Sequence, residues 1–141
     1  MSLDQNEFNV YPTAEGFRIR LDEKLLFSSG SDKIKREYAP FIYELGLRLG
    51  RLGANIQIEG HTDDKRTSAS MTNWDLSVSR ATNIARFFIE VSSLPMDKVA
   101  VLGLADVRPL VPNESQINRT KNRRVEISVN TANRELRKLP W

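Results

Sequence analysis

Apolar and polar residues alternate through Phe17-Arg18-Ile19-Arg20-Leu21-Asp22, through Ile56-Gln57-Ile58-Glu59, and through Val125-Glu126-Ile127-Ser128-Val129. A period of two marks strands with one buried face, so strands are predicted over about 16–22, 56–59 and 124–130. Residues 99–104, VAVLGL, are apolar on both faces, which predicts a central strand. Between these stretches the period lengthens. Ile34, Tyr38, Phe41, Leu45, Leu49 and Leu52 recur at steps of four and three after a cap at Ser31 or Asp32. A long helix is expected there, with Pro40 as an internal breaker and Gly50 and Gly53 closing it. A second helix opens at Thr72 or Asn73, with Asp75 in the first turn to complement the dipole. Trp74, Val78, Ala81, Ala85 and Phe88 make its expected core face. Pro109, Pro112 and Asn113 force a loop before a short helix over 115–122.

Strands separated by helices imply an α/β (α+β) two-layer sandwich, a mixed four-stranded sheet with helices on one face. The expected division is a linker over 1–15, one domain over 16–130 and a tail over 131–141. The tail is polar and basic until Leu139-Pro140-Trp141, and is expected to be helical or loose, with Trp141 able to dock on a neighbour.

Composition narrows the class. With 141 residues, 40% of them apolar and 28% charged, the chain fits one folded domain rather than a disordered segment. The net charge of +3 suits an anionic polymer as partner. The chain has no cysteine, which excludes disulfides, a thiolate nucleophile and thiolate-bound zinc. No apolar run reaches the roughly twenty residues that span a bilayer, and Met1-Ser2-Leu3-Asp4 is not a signal peptide.

Candidate chemistry concentrates between Ile56 and Arg80. Gly60 ends the strand, and His61-Thr62-Asp63-Asp64 brings short polar side chains to a loop on a rigid scaffold. Asn73, Leu76 and Arg80 share a face of the second helix, close enough for the guanidinium to lie beside Asp63. Such a carboxylate and guanidinium can hold the two ends of a zwitterion, or can simply pair with each other and tie loop to helix. His61 is the only histidine, too few imidazoles for a metal site, and is expected to fix the loop by hydrogen bonds. No G-x-S-x-G elbow accompanies it, and Asp63 and Asp64, being adjacent, are expected to point apart rather than act as a glycosidase pair. No catalytic residue, metal or cofactor is therefore expected. Arg119, Lys121, Arg123 and Arg124 form a basic cluster without interleaved aromatics, which reads as a solvated edge rather than a nucleic-acid site. Alternation sets Arg124 beside Glu126 on the outward face and turns Arg123 toward the core side or a carboxylate partner.

The motifs resemble, in order, those of the OmpA-like peptidoglycan-binding domain: Gly60-His61-Thr62-Asp63, then Asn73-Trp74-Asp75-Leu76-Ser77-Val78-Ser79-Arg80-Ala81, then Val101-Leu102-Gly103, Pro109 to Asn113, and Asn122-Arg123-Arg124-Val125-Glu126-Ile127. The resemblance covers about 17–129 and is greatest to the periplasmic domain of the flagellar stator protein MotB, through Asn73-Trp74-Asp75-Leu76-Ser77, the long 64–72 loop and Phe87-Phe88-Ile89-Glu90. Leu26 to Asp32 also resembles the family's approach to its first long helix. It implies a non-catalytic module that holds the diaminopimelate-containing stem peptide. Asp63 and Arg80 would take the charged ends, with Thr62, Asn73 and Leu76 lining the pocket and Arg124 a further contact. It also implies a homodimer, a MotA-like channel partner engaged through an upstream segment, and placement in the periplasm as part of an inner-membrane protein. An outer-membrane-linked anchor of the OmpA or lipoprotein type is the alternative, and a basic nucleic-acid-binding domain, favoured only by charge and the basic cluster, is a further one. Three departures bear on pocket shape: no glycine in Asp64-Lys65-Arg66-Thr67, Gly103-Leu104-Ala105 where Gly-Tyr-Gly is common, and Asn118-Arg119 where Gly-Arg is usual.

Overall fold

The computed structural model describes residues 8–65 and 72–131, so the expectations for the tail beyond Thr131 and for much of the 64–72 loop lie outside the described residues. Five strands form one sheet in the order β1-β2-β5-β3-β4: β1 (Phe8–Thr13), β2 (Gly16–Asp22), β3 (Asn55–His61), β4 (Val99–Gly103) and β5 (Arg124–Asn130). All neighbours are antiparallel except β3 and β4, which are parallel and joined through a helical crossover. The helices are α1 (Glu23–Leu26), α2 (Ala39–Leu52), α3 (Asn73–Glu90) and α4 (Gln116–Asn122). Ile19 and Leu21 of β2, Ile56 and Ile58 of β3, and Val125, Ile127 and Val129 of β5 meet Phe41, Ile42, Leu45 and Leu49 of α2 and Ala81, Ile84, Ala85 and Phe88 of α3 in one core. This is the mixed sheet with helices on one face that the alternation predicts.

Several expectations are corrected. The sheet has five strands rather than four, because residues 8–13, assigned to a linker, pair with β2 from Phe8↔Leu21 to Thr13↔Gly16. Their alternation is broken by polar and proline residues, as befits an edge. The last strand in the order is β4, with Val101 and Leu102 exposed, so VAVLG is an edge strand and not a central one. The first long helix begins at Ala39; Pro40 sits in its first turn, where no intrahelical donor is required, and breaks nothing. Gly53 closes it in the left-handed conformation, φ 62°, which glycine adopts without a Cβ penalty.

The core face of α3 is also rotated from the expected one. Trp74 and Val78 are 53% and 44% exposed, while Leu76, Ser77, Arg80 and Ile84 are buried beside Ala81, Ala85 and Phe88. A stripe drawn on hydrophobicity alone missed that the first two turns of α3 face a polar cleft and a glycine seam.

The outer sheet face carries its own ion network. Glu59 and Glu126 are directly opposite on β3 and β5, and like charges in that position repel. Arg18 Nη1 answers both, at 3.0 Å and 3.1 Å. Arg124 Nε and His61 Nε2 add to Glu126 and Glu59 respectively. Burial alone would raise the Glu59 carboxyl, but the hydrogen bonds from His61 and Arg18 outweigh it and lower the pKa to about 2. The Glu126 carboxyl is likewise held below its ordinary value, chiefly by Arg124 against the effect of burial. A carboxylate held low in the fold stabilises it above the unfolded value of 4.5, and that contribution disappears as pH falls toward about 2. Urea midpoints measured through that window should therefore fall with pH, and Glu59→Gln should flatten the slope; an unaltered slope would remove Glu59 as a source of acid sensitivity.

Candidate functional site

The helix side of the sheet opens at one end into a cleft of about 580 Å³. Its walls come mainly from four segments, the β2–α1 junction with the following loop (Glu23 to Gly30), the β3 loop (Thr62, Asp63, Lys65), the start of α3 (Asn73, Leu76, Arg80) and Arg123 before β5, and Lys35 and Gln116 line it as well. Four of the predicted site residues besides Arg80 therefore meet there: Thr62, Asp63, Asn73 and Leu76. Arg124 does not. It lies on the outer face, buried against Glu126, the Asn122 carbonyl at 2.9 Å and the Arg108 carbonyl at 2.9 Å, and strand alternation places its neighbour Arg123 in the cleft instead.

Local sequence explains how each wall is held. Thr72 caps α3: its Oγ1 accepts from the Asp75 N–H at 3.1 Å while Asp75 Oδ2 accepts from the Thr72 N–H at 3.3 Å. Asn73 then donates to the carbonyls of Asp63, at 3.3 Å, and Lys65, at 3.0 Å, which ties the β3 loop to the helix start. The Thr62 N–H donates to the Ala105 carbonyl at 2.8 Å and extends the β3–β4 contact past the strand ends. Above that seam α3 comes very close. A Cβ on Gly60 would lie 2.2 Å from the Ser77 carbonyl oxygen, and one on Gly103 would lie 2.3 Å from Val78 Cγ2. Both glycines serve approach rather than turning. Ser77 Oγ accepts from the Ala105 N–H at 3.1 Å and so locks the helix to the loop after β4.

The charges form a chain. Asp63 Oδ2 accepts from Arg123 Nη1 at 2.6 Å, and its Oδ1 accepts from the Lys65 N–H at 2.9 Å. Arg123 Nε lies 3.6 Å from Glu23 Oε2, and the same oxygen accepts from Arg80 Nη1 at 2.7 Å. Arg80, 3% exposed, also donates to the carbonyls of Ser31 at 2.8 Å and Ser28 at 3.3 Å, and stacks its guanidinium over Phe27 at 4.9 Å. Asp63 and Arg80 thus share the cleft without pairing to each other: Arg123 and Glu23 stand between them. Asp64 points away, as expected for an adjacent carboxylate, and meets Arg119 at 3.0 Å. Far from forming a solvated edge, Arg119 and Arg123 fasten the β3 loop to α4 and its end.

Sequence reasoning missed Glu23 as a member of the site. Its signal was a carboxylate directly after an alternating strand, four residues before Phe27, and nothing in that spacing names Arg80 as the partner. His61 is bound to Glu59 at 3.1 Å on the outer face, so it stiffens the strand end and does not enter the cleft.

The pattern defining the OmpA family matches residues 26–123. The chain belongs to the OmpA family. Motility protein B of Bacillus subtilis is 32% identical over 128 residues, covering 89% of this chain and 49% of that protein. Among solved structures, the cell wall anchor of the type VI secretion system from Pseudomonas aeruginosa superposes with a TM-score of 0.83 at 25% identity, over 89% of each chain. The periplasmic domain of Helicobacter pylori MotB (residues 78–256) gives 0.81 at 25% identity, over 93% of this chain and 86% of that one. The chain spans about half the length of the curated relatives it matches. Among the described residues no helix is long and apolar enough to cross a membrane.

Two stability outcomes follow from this geometry. Arg80→Ala leaves the buried Glu23 carboxylate with Arg123 alone, 3.6 Å away, and should cost about 3 kcal/mol, read as a drop in the urea midpoint. Gly60→Ala should cost ~2 kcal/mol or more, because the new methyl meets backbone rather than a movable side chain. A midpoint within error of the parent for Gly60→Ala would mean α3 can retreat from the sheet freely.

Proposed function

We propose that this domain is a non-catalytic module that binds peptidoglycan by holding a charged stem peptide in the cleft, and so anchors a membrane-tethered assembly to the cell wall. The observation that carries the reading is the cleft itself: a 580 Å³ site in which a carboxylate wall and a guanidinium wall face one space, at the place where the family motifs converge. Asp63 keeps acceptor capacity after its two hydrogen bonds, since a carboxylate has about four lone-pair sites, and suits a ligand ammonium. Arg80 has five N–H groups and uses three in the contacts described, which leaves donors for a ligand carboxylate. Thr62, Asn73 and Leu76 shape the wall between them, and diaminopimelate, with ammonium and carboxylate on one carbon, is the ligand the resemblance implies.

The finer assignment rests on the likeness to MotB proteins. In that reading the domain is the periplasmic part of an inner-membrane stator subunit, works as a homodimer, and meets a MotA-like channel partner through a segment outside this sequence. Phe87, one surface that sequence analysis offers for dimerisation, is packed against the core, so it supports self-association poorly. The unpaired edge of β4, with Val101 and Leu102 exposed, is the better candidate for a contact between copies. The likeness to a secretion-system wall anchor favours a second reading, in which the same module serves another envelope machine. A nucleic-acid role finds less support, because three of the four members of the basic cluster, Arg119, Arg123 and Arg124, are engaged with carboxylates.

Co-sedimentation with purified sacculi tests the reading. Asp63→Asn keeps the shape and removes the charge, and should weaken binding about tenfold or more, as expected for a charge-assisted contact of ~1.5–3 kcal/mol. Parent-like sedimentation by a folded Asp63→Asn protein would sink the assignment of Asp63 as a ligand contact, and failure of the parent to sediment would sink peptidoglycan binding altogether.

A further inference from the structure

Five basic side chains line the cleft, Lys24, Lys35, Lys65, Arg80 and Arg123, against two carboxylates, Glu23 and Asp63. The two arginines are already matched to those two acids, at 2.7 Å and 2.6 Å. What remains unneutralised is the three lysines. Lys35 Nζ donates to the Lys24 carbonyl at 2.7 Å, which fixes that ammonium at the β2–α1 rim, and Lys65 stands on the β3 loop. Among the described residues, no carboxylate lies within ion-pair distance of Lys24, Lys35 or Lys65. The cleft therefore carries a surplus of three positive charges at its mouth, while a zwitterion would bring none to balance them.

Resting on the peptidoglycan reading above, we propose that the cleft selects stem peptides whose carboxyl groups are free over otherwise identical peptides in which a carboxyl is amidated, and that Lys24, Lys35 and Lys65 are the residues that sense the difference. Converting a carboxylate to a carboxamide preserves size and a carbonyl acceptor but deletes one negative charge. The arginines at the floor discriminate through geometry and are screened by Glu23. The lysines at the rim respond to net charge, and rim charges act at longer range and in a salt-dependent way.

The test is calorimetry with two soluble stem tripeptides that differ only in one carboxylate or carboxamide on the diamino acid, at low and high salt. The parent domain should bind the carboxylate form about fivefold or more tightly at low salt, the preference shrinking as salt screens the rim. In the triple variant Lys24→Gln, Lys35→Gln, Lys65→Gln, with folding checked by its thermal midpoint, the preference should collapse toward one. If the triple variant does not fold, Lys65→Gln alone, at an exposed loop position, should reduce the preference by about twofold. Equal affinity for the two peptides, or an unchanged preference in the folded variant, overturns charge selection and leaves peptidoglycan binding standing. Failure of both peptides and of sacculi to bind overturns the underlying reading as well.

Discussion

A single carboxylate oxygen, Oε2 of Glu23, lies 2.7 Å from Arg80 and 3.6 Å from Arg123, and the cleft is built around it. Arg80 reaches that oxygen from α3, Arg123 from the approach to β5, and Glu23 itself stands where β2 turns into α1. Its own N–H donates to the Arg123 carbonyl at 3.1 Å, so backbone and side chain fasten the same junction. Through Arg123 the link continues to Asp63 at the end of β3. Four segments distant in sequence thus converge on one ion chain at the open end of the sheet. Burying such charges is costly unless each is paired and hydrogen-bonded, and here each member supplies what the next lacks.

That chain works only because α3 is held at a fixed height above the sheet. Ser77 sits against Gly60, and Arg80 follows one helical turn later, over the Phe27 ring. With a side chain at residue 60, the helix would rise and carry the guanidinium away from the carbonyls of Ser28 and Ser31. The glycine of Gly60-His61-Thr62-Asp63 and the arginine of the helix motif are therefore parts of one device, although neither touches the other.

Much of this was legible along the chain. Alternation located β2, β3 and β5, the cap at Thr72 located α3, and spacing brought Asp63, Asn73, Leu76 and Arg80 to one end. What escaped were relations that depend on the third dimension. Glu23 could not be matched to Arg80 because 57 residues separate them and no local rule links their positions. Trp74 and Val78 looked like core because hydrophobicity was weighed without the cleft that occupies their neighbours' side of the helix. The strand β4 looked central because its apolar residues were read as burial, whereas three of its five residues, Ala100, Val101 and Leu102, are exposed at the sheet edge. Arg123 and Arg124 differ by one position, and on a strand one position changes the face: alternation already set Arg124 outward, and only the resemblance carried it to a cleft that Arg123 lines instead.

The two faces of the sheet use the same residue types toward opposite ends. On the outer face Arg18 bridges Glu59 and Glu126, His61 adds to Glu59, and Arg20 and Arg124 add to Glu126, so both carboxylates are enclosed by partners from the sheet itself. In the cleft the acids are matched one to one by arginines and the lysines are left over. A closed network stiffens a fold and offers a ligand little, because every new contact must displace an existing one. An open network with residual donors and residual charge can accept a partner without dismantling the scaffold. The difference lies in the balance of charge rather than in its amount: the outer face holds the strands in register, and the inner one keeps donors and charge to spare.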